Sequence, residues 1–151
     1  MRRRLWWCLA GAMSVGLFGC NSGAPEPASV EIPGTGLRLT IVRVATDPFL
    51  PRHNLTLAVE RTPGCTADVD LFPDTGHTSR RNLYLTRKGL VYVVGQFDAR
   101  VIDGQACTIT LSEFRNLDRE VIFVGSFDED AEERWGYFPA SERPERPFEK
   151  R

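Results

Sequence analysis

The residues of this chain best suited to acid–base chemistry are Asp74 and His77, in the run Asp74-Thr75-Gly76-His77. A carboxylate that orients an imidazole can support proton transfer, so a cleft near this pair would suit a small periplasmic hydrolase or a ligand-binding carrier. The chain has two histidines, the other being His53, and it lacks the Gly-x-Ser-x-Gly elbow of many serine hydrolases. We therefore predict a solvated turn histidine at position 77, no catalytic residue and no enzymatic activity.

The densest group of carboxylates is the run Asp128-Glu129-Asp130 with Glu132 and Glu133. Calcium prefers many oxygen ligands, but this run lacks the Asp-x-Asp-x-Asp-Gly spacing that places such ligands around one ion. We predict a solvated loop with no metal and no cofactor. Together with the aromatic residues that follow, it is a candidate interaction surface, consisting of Asp128, Glu129, Asp130, Glu132, Glu133, Trp135 and Tyr137.

The N-terminus combines a cationic start with a short apolar run. Arg2, Arg3 and Arg4 precede the apolar residues 5–18, which as a helix would cover ~21 Å of a ~30 Å hydrocarbon core. The segment ends in Leu17-Phe18-Gly19-Cys20. This pattern resembles the lipobox of bacterial lipoprotein precursors, and it suits a transient signal segment better than a permanent membrane span.

The resemblance implies a signal peptide over residues 1–19, cleavage between Gly19 and Cys20, and diacylglycerol on the Cys20 thiol. Two or more acyl chains, palmitate among them, anchor a protein to a bilayer stably. Asn21 is not the Asp that retains such proteins in the inner membrane of enteric bacteria. We therefore expect a lipid-anchored protein of the bacterial cell envelope, at the outer membrane and facing the periplasm.

Export also decides the role of the other cysteines. Cys8 would be lost with the signal peptide and Cys20 would carry lipid, which leaves Cys65 and Cys107. Two thiols in an oxidising compartment predict a disulfide, and their spacing does not fit the Cys-x-x-Cys motif of redox-active pairs.

The mature chain, residues 20–151, has a length that suits one domain. The removed segment holds three of the 19 basic residues and none of the 20 acidic ones, so the mature side-chain charge is −4. An acidic, exported chain is not expected to bind nucleic acid.

The sequence predicts that the elements that position these residues are β-strands. Leu37, Leu39 and Ile41 alternate with polar residues, and the same period recurs over residues 55–59. Turns at Arg87-Lys88-Gly89 and Asp103-Gly104 separate further strands, among them one over residues 90–102. We predict an all-β fold, a small β-sandwich or partly open barrel of about seven mostly antiparallel strands.

Four segments are therefore expected: a signal peptide over 1–19, a lipidated flexible tether over 20–30, a β domain over 31–140, and a flexible charged tail over 141–151. With few reactive side chains, the expected function is a non-enzymatic interaction or structural module. Its partners would be the bilayer and an envelope protein that binds an exposed edge strand, the acidic loop or the tail.

Overall fold

Strands make up nearly all of the regular structure in the computed structural model, which describes residues 23–148. The ten strands of these residues are β1 (Glu26–Ile32), β2 (Leu37–Ala45), β3 (His53–Arg61), β4 (Cys65–Asp70), β5 (Arg81–Thr86), β6 (Val91–Val94), β7 (Ala99–Asp103), β8 (Thr108–Ser112), β9 (Val121–Glu129) and β10 (Trp135–Pro139). Within the same described residues, one 3-10 turn spans Phe114–Asn116.

The strands form two antiparallel sheets packed face to face. The four-stranded sheet has the order β1-β2-β3-β4, and the six-stranded sheet has the order β10-β9-β5-β6-β7-β8. This is a β-sandwich and not a closed barrel, which confirms the predicted fold class. The predicted strand over residues 90–102 is two strands, because the Gly95 N–H bonds the Asp98 carbonyl and turns the chain between β6 and β7.

The first strand begins earlier in the sequence than the prolines of this segment suggest. β1 begins at Glu26, inside the segment predicted as a flexible tether, and pairs with β2 over its whole length, including Pro27 opposite Val42. Because β1 is the outermost strand of its sheet, Pro27 is at a position where a missing N–H is tolerated. Gly23, before β1, is also hydrogen-bonded to the end of β2, since its N–H donates to the Ala45 carbonyl at 3.0 Å.

The core lies between the two sheets and is built from the alternating apolar residues that the sequence displays. Its largest fully buried members are Phe127, Leu37, Leu39, Ile41, Leu55, Leu57, Leu83, Ile102, Val59, Val91 and Val93. At one margin Cys65, the first residue of β4, forms the predicted disulfide with Cys107, just before β8. The bond therefore joins the last strand of one sheet to the last strand of the other.

The antiparallel registers define two ends of the sandwich. The end that we call the Gly23 end holds Gly23, the β2–β3 loop 46–52, the segment 71–80, the β6–β7 turn 95–98 and the β9–β10 hairpin loop 130–134. The opposite, Cys107 end holds the turns 33–36, 62–64, 87–90 and 104–107.

The outer face of the six-stranded sheet carries a second, smaller apolar cluster. Tyr92, Val94 and Ala99 form its buried part, and the β8–β9 connection adds Leu117. Phe148 packs on the same cluster, and Glu145 and Arg146 bond side chains of β5, so residues 145–148, predicted as part of a flexible tail, lie against this sheet. Sequence reasoning missed this packing because the segment is strongly charged and carries one large apolar side chain.

Candidate functional site

The acidic run after β9 is largely engaged with arginines of the same chain. Asp128, 8 % exposed, forms ion pairs with Arg143 and Arg146, both from the chain end. Glu129 forms an ion pair with Arg43 on the opposite sheet. The first two carboxylates of the candidate interaction surface therefore hold the fold together.

The rest of that run forms a tight hairpin loop. Asp130 Oδ1 accepts the N–H groups of Glu132 and Arg134, each at 2.9 Å, and the backbone bond from Arg134 contributes most to holding the pKa of Asp130 below its usual value. The Arg134 guanidinium also bonds Asp130 and Glu132. Glu133 adopts a left-handed backbone (φ 61°) and is exposed.

The two aromatic members of the candidate surface are half-buried. Trp135 stacks on Phe127 and donates its indole N–H to the Ile41 carbonyl at 3.2 Å. Tyr137 packs on the same Phe127 and donates its hydroxyl to the Val124 carbonyl. Burial raises the pKa of Tyr137. Both side chains belong to the margin of the core.

Arg43 is a central residue that the sequence analysis did not single out. It is 3 % exposed and forms ion pairs with Glu26 on β1 and Glu129 on β9, so it links the two sheets. Its guanidinium also lies 5.1 Å from the centroid of the Trp135 ring. Burial alone would lower the pKa of Arg43, but the two carboxylates raise it above its ordinary value.

Arg81, on the six-stranded sheet, is likewise buried and paired with a carboxylate. It is 2 % exposed, donates to the carbonyls of Phe72 and Thr78, and lies 3.4 Å from the buried carboxylate of Asp98. The sequence carries a signal for the burial of both arginines. Arg43 has the same strand parity as the inward residues 37, 39 and 41, and Arg81 has the same parity as the inward residues 83 and 85. An arginine on the apolar parity of a strand predicts a buried ion pair.

Asp74 is a buried carboxylate that accepts several hydrogen bonds, and the histidine beside it is His53. The two residues form an antiparallel bridge, and Nδ1 of His53 lies 3.2 Å from Oδ2 of Asp74. His77, considered as the partner from sequence, is exposed with a left-handed backbone (φ 57°). The structure corrects that pairing, which sequence could not reveal because His53 approaches from another strand.

The remaining lone pairs of Asp74 bind donors of its own loop. Oδ1 accepts the N–H of Gly76, the N–H of Thr78 and the Thr78 hydroxyl, while Oδ2 accepts the Ser79 hydroxyl. Burial raises the pKa of Asp74, but these bonds outweigh it and bring the pKa to about 2. Ser79 bonds the carboxylate, whereas in a catalytic triad the serine bonds the imidazole. The arrangement fixes the loop.

We expect Asp74→Asn to lower the free energy of unfolding at pH 7 by about 2 kcal/mol, since a carboxylate with a depressed pKa stabilises the fold by roughly 1.4 kcal/mol per pKa unit. That stabilisation is present above the ordinary pKa of 3.8 and is lost as pH falls through about 2. The difference from wild type should therefore shrink below pH 4 in urea unfolding. Asp68→Asn, on an exposed β4 position, is the control; an equal loss there would contradict the assignment.

One outermost strand of the sandwich, β8 (Thr108–Ser112), carries no charged residue and no proline. Outermost strands expose unpaired peptide groups, and proteins usually guard them with charge or proline. Among the outermost strands of residues 23–148, β1 carries Glu and Pro, β4 carries Asp, and β10 carries Pro139. The β8 edge, Thr-Ile-Thr-Leu-Ser, has neither, and its Leu111 is 57 % exposed.

Comparisons with protein-family models, with curated proteins and with solved structures found no match. No helix within residues 23–148 has the length and apolar character needed to cross a bilayer. The same residues contain no cluster of three or more His, Cys, Asp or Glu side chains that would hold a metal ion. The predicted signal peptide and Cys20 lie outside the described residues.

Proposed function

We propose that this protein is a lipid-anchored, non-enzymatic module of the bacterial envelope that binds another envelope protein through the β8 edge. The anchor part of the proposal comes from the lipobox-like Leu17-Phe18-Gly19-Cys20. The non-enzymatic part is supported by the engagement of Asp74, Asp128 and Glu129 in bonds within the fold. A carboxylate saturated with donors is poorly suited to exchange protons with a substrate.

The single observation that carries the binding proposal is the unguarded β8 edge. An extended segment of a partner can add to such an edge, where main-chain hydrogen bonds supply affinity and side-chain contacts supply specificity. Leu111 and, two residues beyond the strand, Phe114 are 57 % and 48 % exposed, which gives the added strand apolar contacts. The disulfide beside β8 keeps the edge in place relative to the four-stranded sheet.

The test is site-specific photocrosslinking in the envelope. A photoreactive benzoylphenylalanine at Thr110 is expected to form an adduct with one protein, and Leu111→Lys should abolish it because a charge guards the edge. The control places the same probe at Ser29, an exposed position of the outermost strand β1, which lies at the opposite margin of its sheet from β4 and the disulfide. Equal adducts with abundant proteins at both positions, unaffected by Leu111→Lys, would contradict the proposal.

A further inference from the structure

The Gly23 end of the sandwich concentrates the exposed apolar side chains. Seven large hydrophobic residues of the described chain are exposed, and four of them, Phe49, Leu50, Phe72 and Phe97, belong to loops of this end. Phe49 is 90 % exposed, the highest fraction of the seven. Clustered exposed apolar residues mark surfaces that contact a protein or a membrane.

The loop that carries Phe49 and Leu50 is built to present them. Asp47 Oδ1 accepts the N–H groups of both residues, at 2.8 and 2.9 Å, and these bonds are the main reason why the pKa of Asp47 is lowered. The Thr46 N–H bonds the Arg52 carbonyl and closes the base of the loop. The two apolar side chains therefore project from a defined turn.

Gly23, the first residue that the structure describes, lies beside this loop. Gly23 is bonded to Ala45, the residue directly before the loop, and only Asn21 and Ser22 separate Gly23 from Cys20. Three residues of extended chain span at most ~11 Å. An acyl group on Cys20 therefore holds the bilayer surface close to the base of the Phe49 loop.

We propose that the Gly23 end rests on the bilayer that holds the Cys20 acyl chains, with Phe49 and Leu50 inserted among the lipids. This inference rests on the proposed anchor. Burial of apolar side chains about 5–10 Å into the headgroup and acyl boundary adds attachment to that of lipidation and fixes orientation. Arg52, exposed in the same loop, supplies a cation for lipid phosphates. The sandwich is then oriented with its Gly23 end on the membrane and its Cys107 end away from it.

The probe is the mature acylated protein carrying Phe49→Trp, placed in phosphatidylethanolamine and phosphatidylglycerol vesicles with brominated acyl chains. The matched control is Lys88→Trp in the turn 87–90 at the opposite end, and the unsubstituted protein gives the background of Trp135. The nine-residue strands between the two ends are ~30 Å long, which places the control beyond contact with the bromines.

We expect brominated lipid to reduce the added emission of the Phe49→Trp variant about twofold, since an inserted ring lies at the depth of the bromines, and to leave the Lys88→Trp emission unchanged. Equal quenching of both variants, or of neither, would overturn the inference. Incorporation of labelled fatty acid at Cys20, with Cys20→Ser as the unlabelled control, separates the two proposals. An acylated protein without selective quenching loses only the membrane orientation, whereas an unacylated Cys20 overturns both.

Discussion

Arg81→Met is expected to lower the free energy of unfolding by about 3 kcal/mol, because it removes the nearer of the two cations beside the buried carboxylate of Asp98 and leaves only Arg100, 3.8 Å away. Arg81 is 2 % exposed and also donates to the carbonyls of Phe72 and Thr78. Those carbonyls would lose the donors that Arg81 supplies. Equilibrium urea unfolding measures the loss. The control is Arg87→Met, at an exposed ion pair, which should change the free energy of unfolding by less than about 0.5 kcal/mol.

A second substitution separates loss of the charge pair from loss of packing. Asp98→Asn removes the buried charge that Arg81→Met leaves with Arg100 as its remaining cation, so the double variant Arg81→Met/Asp98→Asn should be more stable than Arg81→Met alone. Arg81→Lys should recover little, since an ammonium cannot reach the same carbonyls and carboxylate as a planar guanidinium. Stability of Arg81→Met within about 1 kcal/mol of wild type would show that the buried pair contributes little to the fold.

Removal of the disulfide by Cys65→Ser/Cys107→Ser is expected to cost about 4 kcal/mol, which the loop-entropy model gives for a closed loop of this length. The two cysteines are 42 residues apart, and the bond joins the outer strands of the two sheets at one margin. Without it, the unfolded chain gains freedom and the margin beside β8 loses its covalent link. The loss is a large share of the stability of a domain of this size.

Urea unfolding with and without reductant provides the control for this prediction. Reductant should shift the wild-type midpoint toward that of the double serine variant and leave the variant unchanged. A variant midpoint equal to that of the oxidised wild type would mean that the link adds nothing to the stability of the folded state. A variant that loses photocrosslinking at Thr110 while still folded would indicate that the disulfide also positions the β8 edge.

Much of the fold is predictable from local pattern. The alternation of Leu37, Leu39 and Ile41 and of residues 55–59 correctly identifies the inward faces of β2 and β3, whose members are almost fully buried. The Asp103-Gly104 turn correctly places β8 against β7. These features succeed because strand periodicity and turn chemistry are encoded within a few residues.

The polar interior is harder to predict because its partners come from distant segments. Asp74 contacts His53, which lies 21 positions away, and Arg43 contacts Glu129, which lies 86 positions away. Asp128 is paired with arginines of a segment that composition marks as solvated. No local period reports such pairings, so the partners of these charged side chains were located only by the tertiary structure.

The position of β1 has a mechanical consequence. β1 is joined to β2 by seven register pairs from Glu26–Arg43 to Ile32–Leu37, and its first residue lies at the end where the chain leads toward Cys20. A partner that pulls on the domain, with Cys20 held in the bilayer, would draw β1 along its own axis. Hydrogen bonds of an antiparallel pair lie perpendicular to the strands, so this force shears all of them together and does not open them one by one. With Cys20 anchored as proposed, the first strand of the fold would thus resist separation of the domain from that anchor.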